Sequence, residues 1–285
     1  MPKTYSEVYI AARNALREQG VEACAVEARL MVACAAGKTT AQLLRDMSLY
    51  VGSDMEKRVQ EMLARRRAGE PVAYITGLWE FRGLPMEVTR EVLIPRVDTE
   101  VLAEEAVSSL TGRKQDARVL DLCSGSGCIG CAIADALPRS KVVLADVSPE
   151  AMEVARRNVE RNGLVGRVSF LLADVMKFPP MMIGSFDLVV SNPPYIPTMD
   201  ILTLDASVRD YEPVWALDGG EDGLDFYRAI LKNWKSVIRT GGQLLLEVGE
   251  GQAQAVKDLL LMSGFREVRS IPDTRGVERV ISGRL

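Results

Sequence analysis

Asn192-Pro193-Pro194-Tyr195 is the segment of this sequence whose residue types point to the most specific chemistry. Neither proline has a backbone N–H, so at these two positions the segment offers carbonyl acceptors and no backbone donor. A side-chain amide beside a fixed carbonyl can accept both hydrogens of a planar –NH2 group and direct the nitrogen lone pair at an electrophile. The segment therefore indicates chemistry on a planar nitrogen, in which orientation matters more than acid–base strength.

A glycine-rich segment follows the apolar run at residues 118–123. Gly125, Gly127 and Gly130 have the G-x-G-x-x-G spacing, in which glycines let the backbone turn sharply and approach a ligand closely. Asp146 lies 21 residues after Gly125, where dinucleotide enzymes place an acid that accepts hydrogen bonds from ribose hydroxyls. An NAD-dependent oxidoreductase is therefore one open interpretation.

Three acidic residues beside predicted strands favour a different cofactor. Asp121 precedes the glycine loop, Asp146 lies at the end of the second predicted strand and Asp174 at the end of the third. An acid beside the loop can hold an ammonium group, whereas it would repel a pyrophosphate. The arrangement resembles that of Rossmann-like S-adenosylmethionine-dependent methyltransferases, which implies that Asp121 faces the methionine ammonium, Asp146 the ribose and Asp174 the adenine amino group.

The cysteines allow a third interpretation of the same region. Cys123, Cys128 and Cys131 have the C-x4-C-x2-C spacing of a plant-type iron–sulfur site, but no cysteine follows Cys131 to provide the fourth ligand. Cys128 and Cys131 also lie one helical turn apart among apolar residues, which favours packing of a helix against a sheet. With five cysteines and no signal pattern, we expect a chain without disulfides in a reducing cytoplasm.

The composition excludes several classes of protein. The chain has 285 residues, of which 47% are hydrophobic and 26% charged, as in soluble globular proteins of one or two domains. It contains no histidine, which excludes a histidine general base, His-ligated zinc and a His-held haem. A net charge of −4 disfavours direct nucleic-acid binding, and no apolar run approaches the roughly 18 residues that would indicate a membrane span.

Apolar patterns divide the chain into three parts. Residues 1–70 show helical periodicity and carry 11 basic against 9 acidic residues, which predicts a small, mildly basic helical domain. Residues 71–95 predict a β-hairpin linker. Residues 96–285 alternate strands with helices, which predicts a parallel, doubly wound α/β sheet ending in an antiparallel pair. The seven predicted strands are 118–123, 141–147, 168–174, 186–192, 243–248, 265–271 and 279–285.

Capping residues predict where the helices of the N-terminal part begin. Ser6 is predicted to cap the first helix, and Ser53 with Glu56 predicts a capping box for a later one. Residues 65–67 are three arginines on the last turn of that helix, where the helix dipole favours positive charge. Contact with a partner is the alternative interpretation of these arginines.

Two further segments indicate which family of methyltransferases this sequence resembles. Residues 71–77 (PVAYITG) and 92–100 (VLIPRVDTE), together with the Asn-Pro-Pro-Tyr segment and the small helical domain, resemble the release-factor glutamine methyltransferases of the PrmC/HemK family over essentially the whole chain. The resemblance implies a Rossmann-like seven-stranded methyltransferase domain that uses S-adenosylmethionine. It also implies methyl transfer to N5 of the glutamine in the Gly-Gly-Gln loop of peptide-chain release factors. From the net charge and the lack of a long apolar run, we expect no direct nucleic-acid partner and no membrane partner.

The same resemblance implies roles for individual residues of this sequence. Asn192 and the backbone at Pro193 would bind the glutamine amide, and Pro194 and Tyr195 would shape its slot. Residues 96–100 would border the cofactor pocket, or else begin a helix capped by its aspartate. The residues expected to contact the cofactor are Asp121, Cys123, Ser124, Gly125, Ser126, Gly127, Asp146, Asp174 and Asn192.

Two departures from the family pattern leave the implied ligand groups in place. Cys123 stands where many relatives have glycine, which would cost about 1 kcal/mol if the backbone there has a positive φ. Val97 replaces a proline in the segment that resembles Pro-Arg-Pro-Asp-Thr-Glu.

Alternatives stay open within and beyond this class. A ribosomal-protein glutamine methyltransferase shares the hairpin and the Asn-Pro-Pro-Tyr segment, although Asp98-Thr99-Glu100 favours the release-factor branch. An adenine N6 methyltransferase would need a basic groove and stacking aromatic residues, which the net charge and an aromatic content of 6% disfavour. A binding module without turnover is a further alternative.

Overall fold

The computed structural model describes residues 2–112 and 116–285. These residues form two compact units. The first contains the chain up to Leu78 together with Asp205–Tyr211, and the second contains Trp79–Leu204 and Glu212–Leu285. The domain limits expected near residues 70 and 95 stay a prediction, because compactness alone does not show independent folding.

The first unit is helical, as its periodicity predicts. Val8, Ala12 and Leu16 form the buried stripe of its first helix, at the i, i+4 spacing of one helix face. In chain order, the α-helices of the described residues are α1 Tyr5–Glu18, α2 Cys24–Ala35, α3 Thr40–Arg45, α4 Ser53–Arg67, α5 Val72–Thr76, α6 Glu100–Leu110, α7 Cys128–Ala136, α8 Pro149–Arg161, α9 Ala206–Arg209, α10 Asp225–Ala229 and α11 Ala253–Met262.

Both predicted N-terminal caps are wrong. The Thr4 hydroxyl caps α1 by accepting the Glu7 N–H at 3.2 Å, while the Glu7 carboxylate accepts the Thr4 N–H at 2.7 Å, so Ser6 lies inside the helix. The N-cap of α4 is Gly52, which leaves Ser53 already helical and without a capping hydrogen bond. Several polar residues near each start can serve as caps, and the surrounding loop selects among them.

Two short helices within the first 78 residues were not predicted from the sequence. Residues 72–76, assigned in the sequence analysis to the hairpin linker, form α5, and four of its residues are buried. The six-residue helix α3 was not predicted at all. Helices of five or six residues are too short to show a helical period, so a buried apolar run of this length cannot be told from a strand.

The predicted hairpin is present, with β1 Leu78–Phe81 paired to β2 Leu84–Glu87. Arg82 and Gly83 connect the strands with φ of 49° and 77°, as a two-residue turn with positive φ at both positions requires. Phe81 and Met86 are buried in the core of the second unit.

Within the described residues, seven strands form one sheet in the order β5-β4-β3-β6-β7-β9-β8. β3 to β7 are parallel, and β9 pairs antiparallel with both β7 and β8. The fold therefore confirms the predicted doubly wound sheet with an antiparallel edge. The strands are β3 Arg118–Leu122, β4 Lys141–Asp146, β5 Val168–Leu172, β6 Phe186–Ser191, β7 Ile238–Glu247, β8 Arg266–Pro272 and β9 Glu278–Arg284.

Apolar clusters cover both faces of this sheet. Cys128 and Cys131 of α7 are buried in one cluster beside Leu144 of β4, as their helical spacing predicts. The other cluster contains Trp234, whose indole N–H donates to the Val175 carbonyl at 3.1 Å. No helix among the described residues combines the length and the apolar character needed to cross a membrane.

Candidate active site

A cleft lies at the carboxyl ends of β3, β4 and β6 and measures ≈ 1070 Å³ including its open mouth. The chain runs from β3 to β4 on one side and later returns to β6 on the other, so the loops after β3 and β6 diverge and leave a crevice. The predicted site residues that line it are Cys123, Ser124, Gly125, Ser126, Asp146, Asp174, Asn192 and Pro194. The predicted residues outside this lining are Asp121, Gly127, Pro193 and Tyr195.

The loop after β3 needs backbone conformations that favour glycine. Gly125 and Gly127 have φ of 50° and 77°, and Cys123 has φ of 56°. The cost of about 1 kcal/mol foreseen for a non-glycine residue with positive φ therefore applies to Cys123. Burial raises the pKa of the Cys123 thiol, so this residue is neutral at physiological pH.

Asp146, at the end of β4, holds this loop. Its carboxylate accepts the Gly125 N–H at 2.8 Å and the Ser148 N–H at 3.0 Å. Burial raises the pKa of Asp146, while these two backbone donors lower it. The carboxylate is thus placed on the cleft and can still accept hydrogen bonds, because each of its oxygens has a second lone pair.

Asp121 lies behind the loop and is fully buried. Its Oδ2 accepts the Gly130 N–H at 2.9 Å, and its Oδ1 has no hydrogen-bond partner among the described residues. Burial raises its pKa to about 8, with a further rise from Asp146. In this position Asp121 fixes the first turn of α7, and direct contact with a methionine ammonium stays a prediction.

Other polar groups of the cleft fit S-adenosylmethionine. The buried Ser124 hydroxyl has no hydrogen-bond partner in the described part of the chain, and a Cβ at Gly125 would meet nothing within 4 Å. Asp174 presents a carboxylate that also accepts the Met176 N–H at 2.9 Å. An unpaired hydroxyl, an open backbone surface and two acids suit a ligand with ammonium, ribose and amino groups.

Asn192 is the first residue after β6. Ser191 ties the end of that strand to β3, since its hydroxyl donates to the Leu122 carbonyl at 2.7 Å. The Asn192 side-chain nitrogen donates to the Thr99 hydroxyl oxygen at 3.2 Å. The amide is thereby anchored through its nitrogen on the lining of the same cleft.

The rest of the Asn-Pro-Pro-Tyr segment is held by its backbone. Pro193 and Pro194 are buried, and only Pro194 of the two lines the cleft. The Tyr195 carbonyl accepts the Gln252 side-chain N–H at 2.9 Å, and burial raises the Tyr195 pKa to about 12. The Tyr195 backbone is therefore held in place, and its phenol is neutral at physiological pH.

Some residues of the segment 96–100 line the cleft, and others lie outside its lining. Arg96 and Thr99 line the cleft, whereas the Asp98 carboxylate accepts a hydrogen bond from Arg275 at 2.6 Å. Asp98 caps no helix, so that alternative is wrong. Arg96 pairs with the buried carboxylate of Glu212, a residue that the sequence analysis missed.

Sequence reasoning also missed apolar residues on the cleft. Trp215 and Phe226 come from the long connection after Asn-Pro-Pro-Tyr, and Met176 comes from the segment after β5. The connection that carries Trp215 has no regular apolar period, so its sequence pattern did not indicate a residue on the cleft. The buried Glu247 was missed as well, because the end of an apolar strand gives no sign that its acid is enclosed.

An Asp146→Ala variant is expected to weaken cofactor binding. The substitution removes the acceptor of the Gly125 N–H and the acid facing the predicted ribose position. Hydrogen bonds to charged groups contribute about 1.5–3 kcal/mol each, so the dissociation constant for S-adenosylhomocysteine should rise about tenfold or more. Isothermal calorimetry measures this, with Asp135→Ala on an exposed position of α7 as the matched control. Unchanged affinity in Asp146→Ala would mean that the ribose is bound elsewhere.

The sheet order, the glycine loop after β3 and the acids beside β4 and β5 define a Rossmann-like S-adenosylmethionine-dependent methyltransferase. The family model "Methyltransferase small domain" matches residues 98–204, and "PrmC N-terminal domain" matches residues 7–77. A solved methyltransferase from Pyrococcus furiosus has the same fold, with a TM-score of 0.52 and 20% identity over 79% of this chain and 96% of that chain.

Comparison with curated relatives shows to which family this chain belongs. A release factor glutamine methyltransferase from Geobacter sulfurreducens is 43% identical over 96% of this chain and 94% of the relative. Another from Moorella thermoacetica is 40% identical over 91% of each chain. The chain belongs to the release factor glutamine methyltransferase family, and it is an enzyme that uses S-adenosylmethionine. The predicted fold class, enzyme class and cofactor are thus confirmed, and the NAD interpretation is wrong.

Proposed function

We propose that the cleft binds S-adenosylmethionine along the glycine loop and presents its methyl group to a glutamine amide held at Asn192. One observation carries this proposal. Asn192 lines the same cleft as the glycine loop, and its amide nitrogen is already engaged by Thr99. The Asn192 oxygen is then the free acceptor for a substrate N–H, which suits an amide –NH2 group.

The cofactor contacts follow from the lining of the cleft. Asp146 would accept hydrogen bonds from the ribose hydroxyls, and Asp174 would accept from the adenine amino group. The Ser124 hydroxyl and the backbone of Gly125 would meet the methionine part. Asp121 would act indirectly, because it fixes the Gly130 N–H behind the loop.

The chain's contribution to the reaction is orientation. S-adenosylmethionine supplies a methyl group activated by its positively charged sulfur. The Asn192 Oδ1 and the Pro193 carbonyl would accept the two N–H groups of the glutamine amide and turn its lone pair toward the methyl carbon. The N–C bond forms as the C–S bond breaks, and the nitrogen then loses one proton. A protonated amide nitrogen is strongly acidic, so water can take this proton, and the absence of histidine is consistent with that chemistry.

The proposed substrate is the glutamine of the Gly-Gly-Gln loop in peptide-chain release factors. The names of the relatives support a release factor as the partner. The net charge of −4 is unfavourable for direct binding of nucleic acid. The free state of the five cysteines, two of them buried in an apolar core, is in keeping with a cytoplasmic enzyme.

A substrate comparison tests this function. The enzyme is incubated with S-adenosylmethionine labelled in its methyl group and, separately, a release factor, a ribosomal protein substrate of glutamine methylation and duplex DNA. We expect label in the release factor alone. Label in the ribosomal protein alone would assign the chain to the sister activity, and label in DNA would overturn the assignment to a protein substrate.

The helical unit is proposed to dock the release factor. Arg65 and Arg66, two of the three arginines at the end of α4, pair within the unit with Glu70 and Glu27. A chain lacking residues 1–70 is expected to bind S-adenosylhomocysteine normally and to lose methylation of the release factor. Binding of S-adenosylhomocysteine in calorimetry would show that the truncated chain is folded. Unchanged methylation by such a chain would contradict docking through this unit.

A further inference from the structure

Glu247 is a buried acid near the cleft, and it is not among the residues that line it. It is the last residue of β7 and is 1% exposed. Its neighbour Leu246 is in register with Ser191 on the adjacent parallel strand β6. Glu247 follows Leu246 at the end of β7, and Asn192 follows Ser191 directly after β6, so the strand pairing brings these two positions side by side.

The polar side chains nearest Glu247 include Asn192 and Thr99, which are hydrogen-bonded to each other. The Asn192 nitrogen donates to the Thr99 hydroxyl oxygen at 3.2 Å, which leaves the hydroxyl hydrogen free to donate onward. The Thr99 and Asn192 side chains both lie close enough to the Glu247 carboxyl group to lower its pKa. Its Oε2 has no hydrogen-bond partner among the described residues.

An acceptor at this position decides which way the Asn192 amide faces. An asparagine amide can sit in two orientations that exchange its oxygen and nitrogen. An ionised carboxylate can only accept, so it favours the orientation with the –NH2 group inward, toward Thr99 and Glu247. The Asn192 oxygen then faces outward, where the substrate –NH2 group needs an acceptor.

We propose that Glu247 is a positioning residue whose carboxylate, together with the Thr99 hydroxyl, locks the Asn192 amide with its oxygen toward the substrate glutamine. This inference rests on the proposed role of Asn192 in holding that glutamine. A residue that acts through Asn192 should affect turnover and leave cofactor affinity unchanged, because Glu247 is not part of the cleft lining.

The protonation of Glu247 makes the proposal testable without a substitution. Burial raises its pKa to about 7, and the Thr99 hydroxyl, Arg279 and Asn192 lower it. The charged or titratable groups around it are Arg279, Asp98, Tyr195, Tyr227 and Cys128. Protonation turns one carboxyl oxygen into a donor and removes the preference for an inward –NH2 group. Since the ionised form is the active one, kcat/KM should fall as the pH drops below about 7.

The substitution test is Glu247→Gln, which keeps the size of the side chain and removes the charge. We expect kcat to fall by between about tenfold and a hundredfold, the range for a misplaced reacting group. The affinity for S-adenosylhomocysteine should stay unchanged, and the loss of kcat/KM below pH 7 should disappear. Asp187→Asn at the amino end of β6, an acid paired with Arg239, is the matched control and should keep wild-type turnover and pH profile.

A double-mutant cycle with Asn192→Ala separates positioning from a general effect on structure. If Glu247 acts through Asn192, Glu247→Gln should cause no further loss of kcat in the Asn192→Ala background. Multiplicative losses would overturn the proposal, as would wild-type kcat in Glu247→Gln. If Glu247→Gln did not fold, the pH profile of the wild-type enzyme would still decide, and a flat profile between pH 6 and about 8 would contradict the proposal.

These outcomes separate the inference from the function on which it rests. Wild-type enzyme that methylates a release factor at a rate independent of Glu247 leaves the proposed function intact and removes only the positioning role. Failure of the wild-type enzyme to methylate any glutamine removes both. Asp121, with a pKa raised to about 8, could add a second pH dependence, and that dependence would persist in Glu247→Gln.

Discussion

An Asn192→Ala variant is expected to transfer methyl groups at least about two orders of magnitude more slowly than the wild-type enzyme. The substitution removes the acceptor for one substrate N–H and frees the Thr99 hydroxyl that the amide engages. The reactive nitrogen would then approach the methyl group without a fixed direction. Cofactor affinity should change little, because most of the cleft lining comes from other segments.

Single-turnover methylation of a release factor and calorimetry with S-adenosylhomocysteine measure the two quantities separately. Asn162→Ala is the matched control, since this asparagine caps α8 and donates to the Pro85 carbonyl at 3.1 Å, away from the cleft lining. The control should keep its turnover. Normal turnover in Asn192→Ala would refute the assigned role.

A Gly130→Ala variant is expected to lose both stability and cofactor binding. A Cβ at this position would overlap the buried Leu144 side chain and lie 3.1 Å from both the Asp121 carboxylate and Val142. Leu144 is fully buried and has little space to move. Overpacking of a core typically costs about 1–3 kcal/mol, and we expect a loss of unfolding free energy near the upper end of that range.

The effect on binding follows from what Gly130 touches. Its N–H donates to Asp121, so displacement of α7 would disturb the loop at Gly125 and Ser124. Urea unfolding and calorimetry measure the two losses. Gly52→Ala is the matched control, because a Cβ there meets nothing within 4 Å and the residue has a negative φ. A Gly130→Ala variant as stable as Gly52→Ala would contradict the close packing described here.

The sequence was sufficient to predict the sheet and most of the cleft. Buried parallel strands are apolar along most of their length, so β3 to β6 were recognisable as apolar runs. Each run ends at or within two residues of a predicted site residue, namely Asp121, Asp146, Asp174 or Asn192. Carboxyl ends of neighbouring parallel strands meet at one edge of the sheet, which brought most of the predicted residues together. The sequence left open whether Cys123 has a positive φ, and the sharp turn after β3 gives it one.

What the sequence could not predict depends on contacts between distant segments. Asp121 was predicted to face the methionine ammonium, a contact that stays a prediction, but its hydrogen bond from the Gly130 N–H could not be foreseen. Glu247 and Glu212 are acids whose burial is decided by strands and loops far away in the chain. Trp215 reaches the cleft from a long irregular connection that has no period to follow.

Asn192 is proposed to present one glutamine amide of a release factor to S-adenosylmethionine. The most direct test is intact-mass spectrometry of a purified release factor after incubation with the enzyme and S-adenosylmethionine, beside the same factor with its Gly-Gly-Gln glutamine changed to alanine. We expect one added methyl group on the wild-type factor and none on the altered one. Equal methylation of both factors, or no methylation of either while S-adenosylhomocysteine still binds, would contradict it.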